Sequence, residues 1–411
     1  MPRSGNHGGL VLVAFGVAIA GCSGAPPPPY EQWVTKSAFA PNPNSGNAFD
    51  GYVLCSRQAS EAAHEYASFT SFERRHKLEI IKLLGPAVSK LAQAARLTCD
   101  FRFMPHAPDE PDSDFSGMRF LRYSVVWQIQ NAVEARDFGH AVQLSLLANK
   151  VGSDFLGGGS IEADIGLQWM DQSRSAIADA IPEMTTSQLS QLTSGLKKAL
   201  SGIHGFDPIT RNETQNFLAG VQWLQDHYRE GTLAEVDDFL GSSVRDATTY
   251  LKAIPMDDRS KRPAYFKGFA DEAHRWADWY SAQGALPAAK RKSEKEMPVA
   301  EERPWKRYAA ALFTTLRPIL ERYDRTIART RLAILTSEVQ RQIKISHLAP
   351  KTLNAFSQEL ILDPYSGVPL KYRAEGADYY IYSVGQNLQD DQGATDTIFE
   401  SPDLTLESSN R

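Results

Sequence analysis

The chain has 411 residues, 42% of them apolar and 23% charged, and a formal net charge of -5. That is enough material for one large or two modest cores, and it excludes a disordered chain or one that spans membranes repeatedly. A charge so close to balance gives no reason to expect nucleic acid as a partner.

The amino terminus carries the most specific signal. Arg3 precedes an unbroken apolar run at 10–20, LVLVAFGVAIA. Eleven residues make a helix of roughly 16 Å, about half of a hydrocarbon core near 30 Å, so the run is expected to act as an export signal and not as a permanent span. It ends in Ile19-Ala20-Gly21-Cys22, which resembles the lipobox of bacterial lipoproteins. The resemblance implies a signal peptide at 1–21 and a diacylglyceryl group on the Cys22 thiol. The protein is then expected to sit on a membrane through that lipid, facing the periplasm or the cell exterior. Ordinary cleavage after Ala20 is the alternative, since Ala18-Ile19-Ala20 also satisfies the small-residue rule. Pro26 to Pro29 favour extended polyproline II, so 22–47 reads as a Pro-rich tether that holds a domain off a surface.

Cys55 and Cys99 remain after the leader. In a helical hairpin of 49–68 and 72–98, the residue opposite Cys55 falls near 85 and Cys99 lies roughly 20 Å further along. A disulfide needs Cα atoms within about 7 Å. Two buried free thiols are expected, unless Pro86 breaks the second helix and lets the pair meet.

From 48 to 285 the pattern is helical. Leu78, Ile81, Leu84, Val88, Leu91 and Ala95 follow i, i+3, i+4 spacing, as do Val126, Ile129, Ala132 and Val133. Thr185 and Gln188 form a capping box just after Pro182. Gly157-Gly158-Gly159 reads as a turn with Ser160 as a helix N-cap; it is not a phosphate loop, because no strand precedes it. Short connections between such helices favour antiparallel neighbours. The run Ala135-Arg136-Asp137-Phe138-Gly139-His140-Ala141 is similar to the first helix of a tetratricopeptide unit, without a 34-residue period elsewhere.

Residues 286–304, rich in charge and proline, read as an exposed charged linker. The apolar stripe Leu312, Leu316, Ile319, Tyr323, Ile327, Ile334, Val339 and Ile343 then predicts a long helix within 305–362, kinked at Pro318. Between Lys290 and Lys344 there are 14 Lys or Arg against 7 Asp or Glu, whereas 375–411 hold 8 acidic residues and one Arg. Either the acidic tail folds onto the basic helix or each faces solvent by itself.

Candidate chemistry is sparse. Asp164 and Asp171 lie seven apart, hence on one helix face about 10 Å from each other, a separation that suits an inverting hydrolase. Their bland reading is two surface aspartates. The aromatics from Tyr265 to Tyr280 either offer a sugar-stacking surface or, as the spacing of Phe266, Phe269, Ala273, Trp276 and Tyr280 suggests, pack a core. His64-Glu65 lacks the second histidine of a zinc helix, since position 68 is Ser. No nucleophile elbow, zinc-spaced Cys/His set or dinucleotide fingerprint occurs.

The last segment, 363–411, changes character to a small β module and acidic tail. Asp363-Pro364-Tyr365-Ser366-Gly367 is a proline-initiated turn. Leu370 and Tyr372 alternate on one strand, and Tyr380, Tyr382 and Val384 on the next. A lone hairpin is marginal in water, so its tyrosine and leucine face is expected to dock on the long helix, with a third strand near 397–399. The pattern Asp363-Pro364-Tyr365-Ser366-Gly367-x-Pro369-Leu370-x-Tyr372, then Tyr380-x-Tyr382-Ser383-Val384-Gly385 and Asp390-Asp391, resembles a tail carried by uncharacterised exported bacterial lipoproteins. It is also similar to the end of the major pseudopilins of type II secretion. The pseudopilin resemblance implies a calcium site at Asn387, Asp390, Asp391 and Asp396, whose hard oxygen ligands suit that ion. Gln392 interrupts the usual Asp-Gly run, and a solvated acidic turn is the alternative.

The expected fold is mainly α: an irregular antiparallel helical array with a long C-terminal helix and a small C-terminal β-hairpin module. The expected function is that of a lipid-anchored envelope protein with a non-catalytic binding or scaffolding role toward an envelope polymer or protein, with no catalytic residues. A hydrolase or lyase acting on an envelope polymer, and an accessory of a secretion or pilus-like assembly, are the alternatives.

Overall fold

The computed structural model describes residues 40–69, 71–103, 115–230, 260–297, 313–394 and 403–406, and single positions at 32, 105, 258, 303, 306, 309 and 310. The leader, Cys22, most of the tether, Asp396 and the strand expected at 397–399 lie outside these residues.

The chain is mainly helical, in the order α1 (Ala48–Ala62), α2 (Arg74–Ala94), α3 (Met118–Glu134), α4 (Phe138–Phe155), α5 (Ser160–Ile177), α6 (Thr186–Ser201), α7 (Asp207–Glu230), α8 (Arg262–Gly284), α9 (Leu316–Ser346) and the single turn α10 (Gln358–Ile361). Two short strands follow, β1 (Lys371–Glu375) and β2 (Asp378–Tyr382), paired antiparallel with Lys371 opposite Tyr382 and Glu375 opposite Asp378. Among the described residues no helix is long and apolar enough to cross a membrane.

Local chemistry accounts for several boundaries. Asn47 caps α1 by accepting from the Phe49 amide at 3.1 Å and ties it to the segment that follows α2 by accepting from the Asp100 amide at 3.0 Å. The box at the start of α6 forms as expected, with Thr185 and Gln188 bonded reciprocally. At α5 the N-cap is Gly159, one residue earlier than Ser160, and its amide donates to Glu162 at 3.0 Å. The tetratricopeptide-like run does not form one helix: Arg136 takes φ 59° between α3 and α4, and Asp137 caps α4 by accepting from His140.

Cys55 and Cys99 are free. Helix α2 continues through Pro86, and it pairs with α1 in a different register from the one expected, with Lys90 bonded to Gln58 and Ala94 against Gly51. Burial pushes the Cys55 thiol up to about 11 and the Cys99 thiol up to about 12, so neither is a ready nucleophile.

Two apolar cores share the long helix. The first is built from α1–α4, α6 and the C-terminal half of α9, including Phe49, Leu84, Leu121, Val151, Leu192 and Leu335. The second joins Leu167 and Met170 of α5 to Trp223 of α7, to Phe266, Phe269, Trp276 and Tyr280 of α8, and to Leu316, Leu320 and Tyr323 of α9. The aromatic cluster of α8 is therefore core, because its members recur at helical spacing toward one side. Helix α5 is pressed hard against α4: a Cβ on Gly152 would come within 2.7 Å of the Gly166 carbonyl, and one on Gly166 within 2.5 Å of the Gly152 carbonyl. That close approach fixes which way the remaining face of α5 points.

Helix α9 is 31 residues long, roughly 46 Å. Pro318 stands in its first turn, where the missing amide has no intrahelical acceptor to lose, so it starts the helix where a mid-helix kink was expected. The helix ends at His347, which adopts φ 61°.

The carboxy-terminal module docks on α9 as expected, but through the other face of its second strand. Ile381 and Leu370 join the first core with Tyr379 and Tyr372, and the Tyr379 hydroxyl accepts from Gln340 at 3.1 Å. Tyr380 and Tyr382 face the tail loop, donating to the Gly393 carbonyl and to Asp390. The third segment is Leu404, bridged antiparallel to Ser383.

The segment read as an exposed linker is tied into this packing. Ala288 and Ala289 donate backbone hydrogen bonds to the carbonyls of Pro364 and Tyr365 at 3.0 and 2.8 Å. Arg291 pairs bidentately with the buried Asp324 of α9 and also donates to the Gln283 and Leu286 carbonyls. Composition shows a run of charge; it does not show that one member of the run has a buried partner elsewhere.

Candidate functional site

Between the two cores, the third face of α5 meets α9 in a polar seam. On α5 the residues Asp164, Gln168, Asp171 and Arg174 recur every three or four positions, and on α9 Arg322, Arg325, Thr326, Arg329 and Thr330 do the same. Arg122 of α3, which packs on α5, completes the set.

Bonds run along the seam. Fully buried Arg174 donates to the Thr326 carbonyl at 2.9 Å, to the Thr330 hydroxyl at 2.5 Å and to Asp171. Asp171 also accepts from the Thr326 hydroxyl at 3.0 Å. Asp164 pairs with Arg322 and accepts from Gln168 at 2.6 Å, and Gln168 in turn accepts from Arg122. Exposure varies along the seam: the side chains of Arg322 and Asp164 are 35% and 30% exposed, whereas that of Arg174 is 2% exposed.

Burial pulls the guanidinium groups of Arg122, Arg174, Arg322 and Arg329 below their ordinary value. Like charge adds to this, from Arg322 on Arg122, from Arg325 on Arg322 and from Arg174 and Arg325 on Arg329. All remain cationic, since guanidinium is not deprotonated in proteins.

Asp164 and Asp171 thus lie on one face, as their spacing predicts, but each is held by an arginine. A carboxylate fixed between a guanidinium and a hydroxyl is built to neutralise charge, while a general acid must hold a proton that it can release. Arg122, Arg322, Arg325 and Arg329 were not singled out from the sequence. The signal that finds them is the i, i+3, i+4, i+7 recurrence of arginine on α9 at 322, 325, 326 and 329, with Thr326 in the third place.

At the N-terminus of α5, Glu162 is buried with no cation beside it among the described residues. Its carboxylate accepts from Gly159, and burial, with the like charge of Glu213 adding, pushes it up to about 7. Gly158 is required beside it, because a Cβ there would sit 2.4 Å from that of Glu162.

The calcium ligands expected in the tail fall into two groups. Asp396 is outside the described residues. Asp390 is engaged by Lys371 at 2.8 Å and by the Tyr382 hydroxyl at 2.8 Å, and Asn387 donates to Asp391 at 2.9 Å. Sequence reasoning missed Asp403: it is buried, accepts from the Gly393 amide at 2.6 Å, and leaves its Oδ1 without a hydrogen bond. Burial pushes its carboxyl up, although the Gly393 and Asp391 amides pull against this. Among the described residues no three Asp, Glu, His or Cys side chains are grouped to hold a metal ion.

No protein-family model matches the chain, and no curated protein or solved structure does either.

Proposed function

We propose that the chain is a lipid-anchored cell-envelope protein that acts by binding or scaffolding and not by catalysis. The anchor is the acylated Cys22, behind an apolar leader too short to span a bilayer and ahead of a proline tether. The observation that supports a non-catalytic role is that the two seam carboxylates, Asp164 and Asp171, each serve as the partner of an arginine. A hydrolase or lyase using Asp164 and Asp171 is the weaker reading, because each is already in an ion pair. Intact-mass analysis of membrane fractions tests the anchor: the wild-type chain is expected to begin at an acylated Cys22 and Cys22→Ala to leave the membrane. A mature chain that starts at Gly21 without lipid would overturn it.

A second reading, calcium binding in the tail of a secretion or pilus-like accessory, is favoured by one atom. The bare Oδ1 of Asp403 lies beside the loop that holds Asp390, Asp391 and Asn387, whose Gly393 amide donates to the other oxygen, and a hard cation suits such an oxygen. Calorimetric titration with Ca²⁺ is expected to show heat that Asp403→Asn abolishes; a silent wild type removes this reading.

A further inference from the structure

Helix α2 turns one long side away from the first core. Leu78, Lys82, Pro86, Ser89 and Gln93 recur every three or four positions and are all exposed, and Arg96 continues the line in the turn that closes the helix. Leu83, Lys90 and Leu97 border that line on the side of α1, where Lys90 donates to Gln58 at 3.1 Å. The three leucines stay in water to a large extent: Leu78 is 53% exposed, Leu83 44% and Leu97 42%. The same side carries the cations of Arg75, Lys82, Lys90 and Arg96 against the single carboxylate of Glu79, which pairs with Arg75 at 3.8 Å. From Lys82 to Cys99 the chain holds no acidic residue. The exposed acids Glu61 and Glu65 belong to the segment that reaches the start of α2, where Tyr66 donates to Glu79 at 3.0 Å. At the opposite end the tether enters the body: the Ala48 amide donates to the Thr98 carbonyl at 3.0 Å, and Asn47 donates to the Asp100 carbonyl at 2.9 Å.

We propose that this side of α2 rests on an anionic phospholipid surface, with Lys82 and Arg96 toward the headgroup phosphates and Leu78, Leu83 and Leu97 entering the interface. The mixture of residue types selects that occupant. A soluble polyanion would satisfy the cations and leave the leucines in water. A second copy of the chain would cover the leucines and press like charges together. An interface with charged heads above an apolar layer takes both kinds of side chain. The tether adds a second argument, because it joins the body beside Thr98, next to Arg96 and Leu97. Fully extended, 22–47 spans roughly 80 Å, so an anchored chain meets the bilayer intramolecularly and a face of modest intrinsic affinity is enough to orient it. The assignment rests on the lipid anchor proposed above and adds to it which side of the protein faces the membrane.

The test uses the mature chain from residue 22 carrying Cys22→Ser, so that no acyl group contributes. Co-sedimentation is expected with phosphatidylglycerol vesicles and not with vesicles of phosphatidylcholine alone, and it should fall as salt rises. Lys82→Glu/Arg96→Glu is expected to weaken it roughly tenfold or more and to leave the melting temperature unchanged, since both side chains are exposed. Leu78→Ser/Leu97→Ser is expected to weaken it roughly three- to tenfold. To read which side is bound, Gln93→Cys carries an environment-sensitive fluorophore. The native thiols do not compete for the label at neutral pH, because burial pushes Cys55 up to about 11 and Cys99 up to about 12. Emission from position 93 is expected to shift to the blue on phosphatidylglycerol, while the same label on Glu375→Cys at the hairpin turn stays unshifted. No sedimentation, equal sedimentation on both lipids, an unaffected charge-reversal variant, or a shift at 375 in place of 93 would each overturn the assignment. A silent wild type is also the outcome if the acidic run at 109–114 covers the face. Dextran sulfate bound as tightly as the vesicles, with Leu78→Ser/Leu97→Ser making no difference, would give the face to a polyanion and overturn it as well. An unacylated Cys22 together with vesicle binding sinks the anchor and leaves the face standing; an acylated Cys22 without vesicle binding does the reverse.

Discussion

Two places in this protein bury charge against α9, and they do it in opposite ways. Where the tail turn and the 286–297 segment meet α9, each buried carboxylate is fully partnered: Asp324 by the Arg291 guanidinium, and Asp363 by three neutral donors. Along the seam a few residues away, Arg122 and Arg325 meet no carboxylate among the described residues. The matched region explains itself as a clasp, since each buried charge has its partner and the module is held to the helix. The unmatched region does not, because like charges in a partly dry setting repel by about 3 kcal/mol at 6 Å for an effective dielectric near 20.

Breaking the clasp gives the largest expected effect. Arg291→Gln leaves Asp324 buried without its cation, at a cost of about 3–5 kcal/mol in urea unfolding. Burial already outweighs Arg291 and pushes Asp324 up to about 6. For that reason the double variant Arg291→Met/Asp324→Leu is expected to recover most of the loss. A single variant as stable as wild type would show that the pair is ornamental and that the contrast with the seam fails.

The pH response sharpens the contrast at the N-terminus of α5, where Glu162 has no cation beside it among the described residues. Its carboxyl is raised from 4.5 to about 7. A raised acid stabilises the fold fully below its unfolded value and loses that contribution as pH climbs through the folded one. Between pH 4.5 and 7 the difference in unfolding free energy between Glu162→Gln and wild type should therefore move in the variant's favour by about 3 kcal/mol. Gln keeps an oxygen for the Gly159 amide, so the hydrogen bond survives. A difference that stays flat across that window would mean that water reaches the group.

Helix existence was legible along most of the chain because apolar recurrence is a local signal, as in α2, α3 and α8, and because Thr185 and Gln188 cap within four residues. Partnership was not. Asp164 and Asp171 were placed on one face, but Arg322 of α9 becomes the partner of Asp164 only once the two helices pack together, and Arg174, three residues from Asp171 on the same helix, was passed over. The same limit applies to Arg291 in a run of charge and to Asp403 in an acidic tail. Strand parity was legible in the module, but which side faces α9 was not: Tyr380 and Tyr382 looked like the core face until Ile381 took it. Pro318 marked α9 correctly and its meaning changed with position, from a kink to a start.

The smallest expected effect lies at the exposed part of the seam. Asp164 is about a third exposed, and its pair with Arg322 is expected to be worth less than about 1 kcal/mol, so Asp164→Asn should leave the melt nearly unchanged. A loss of several kcal/mol would mean that water does not screen this pair and that the seam is as dry at Asp164 as at Arg174.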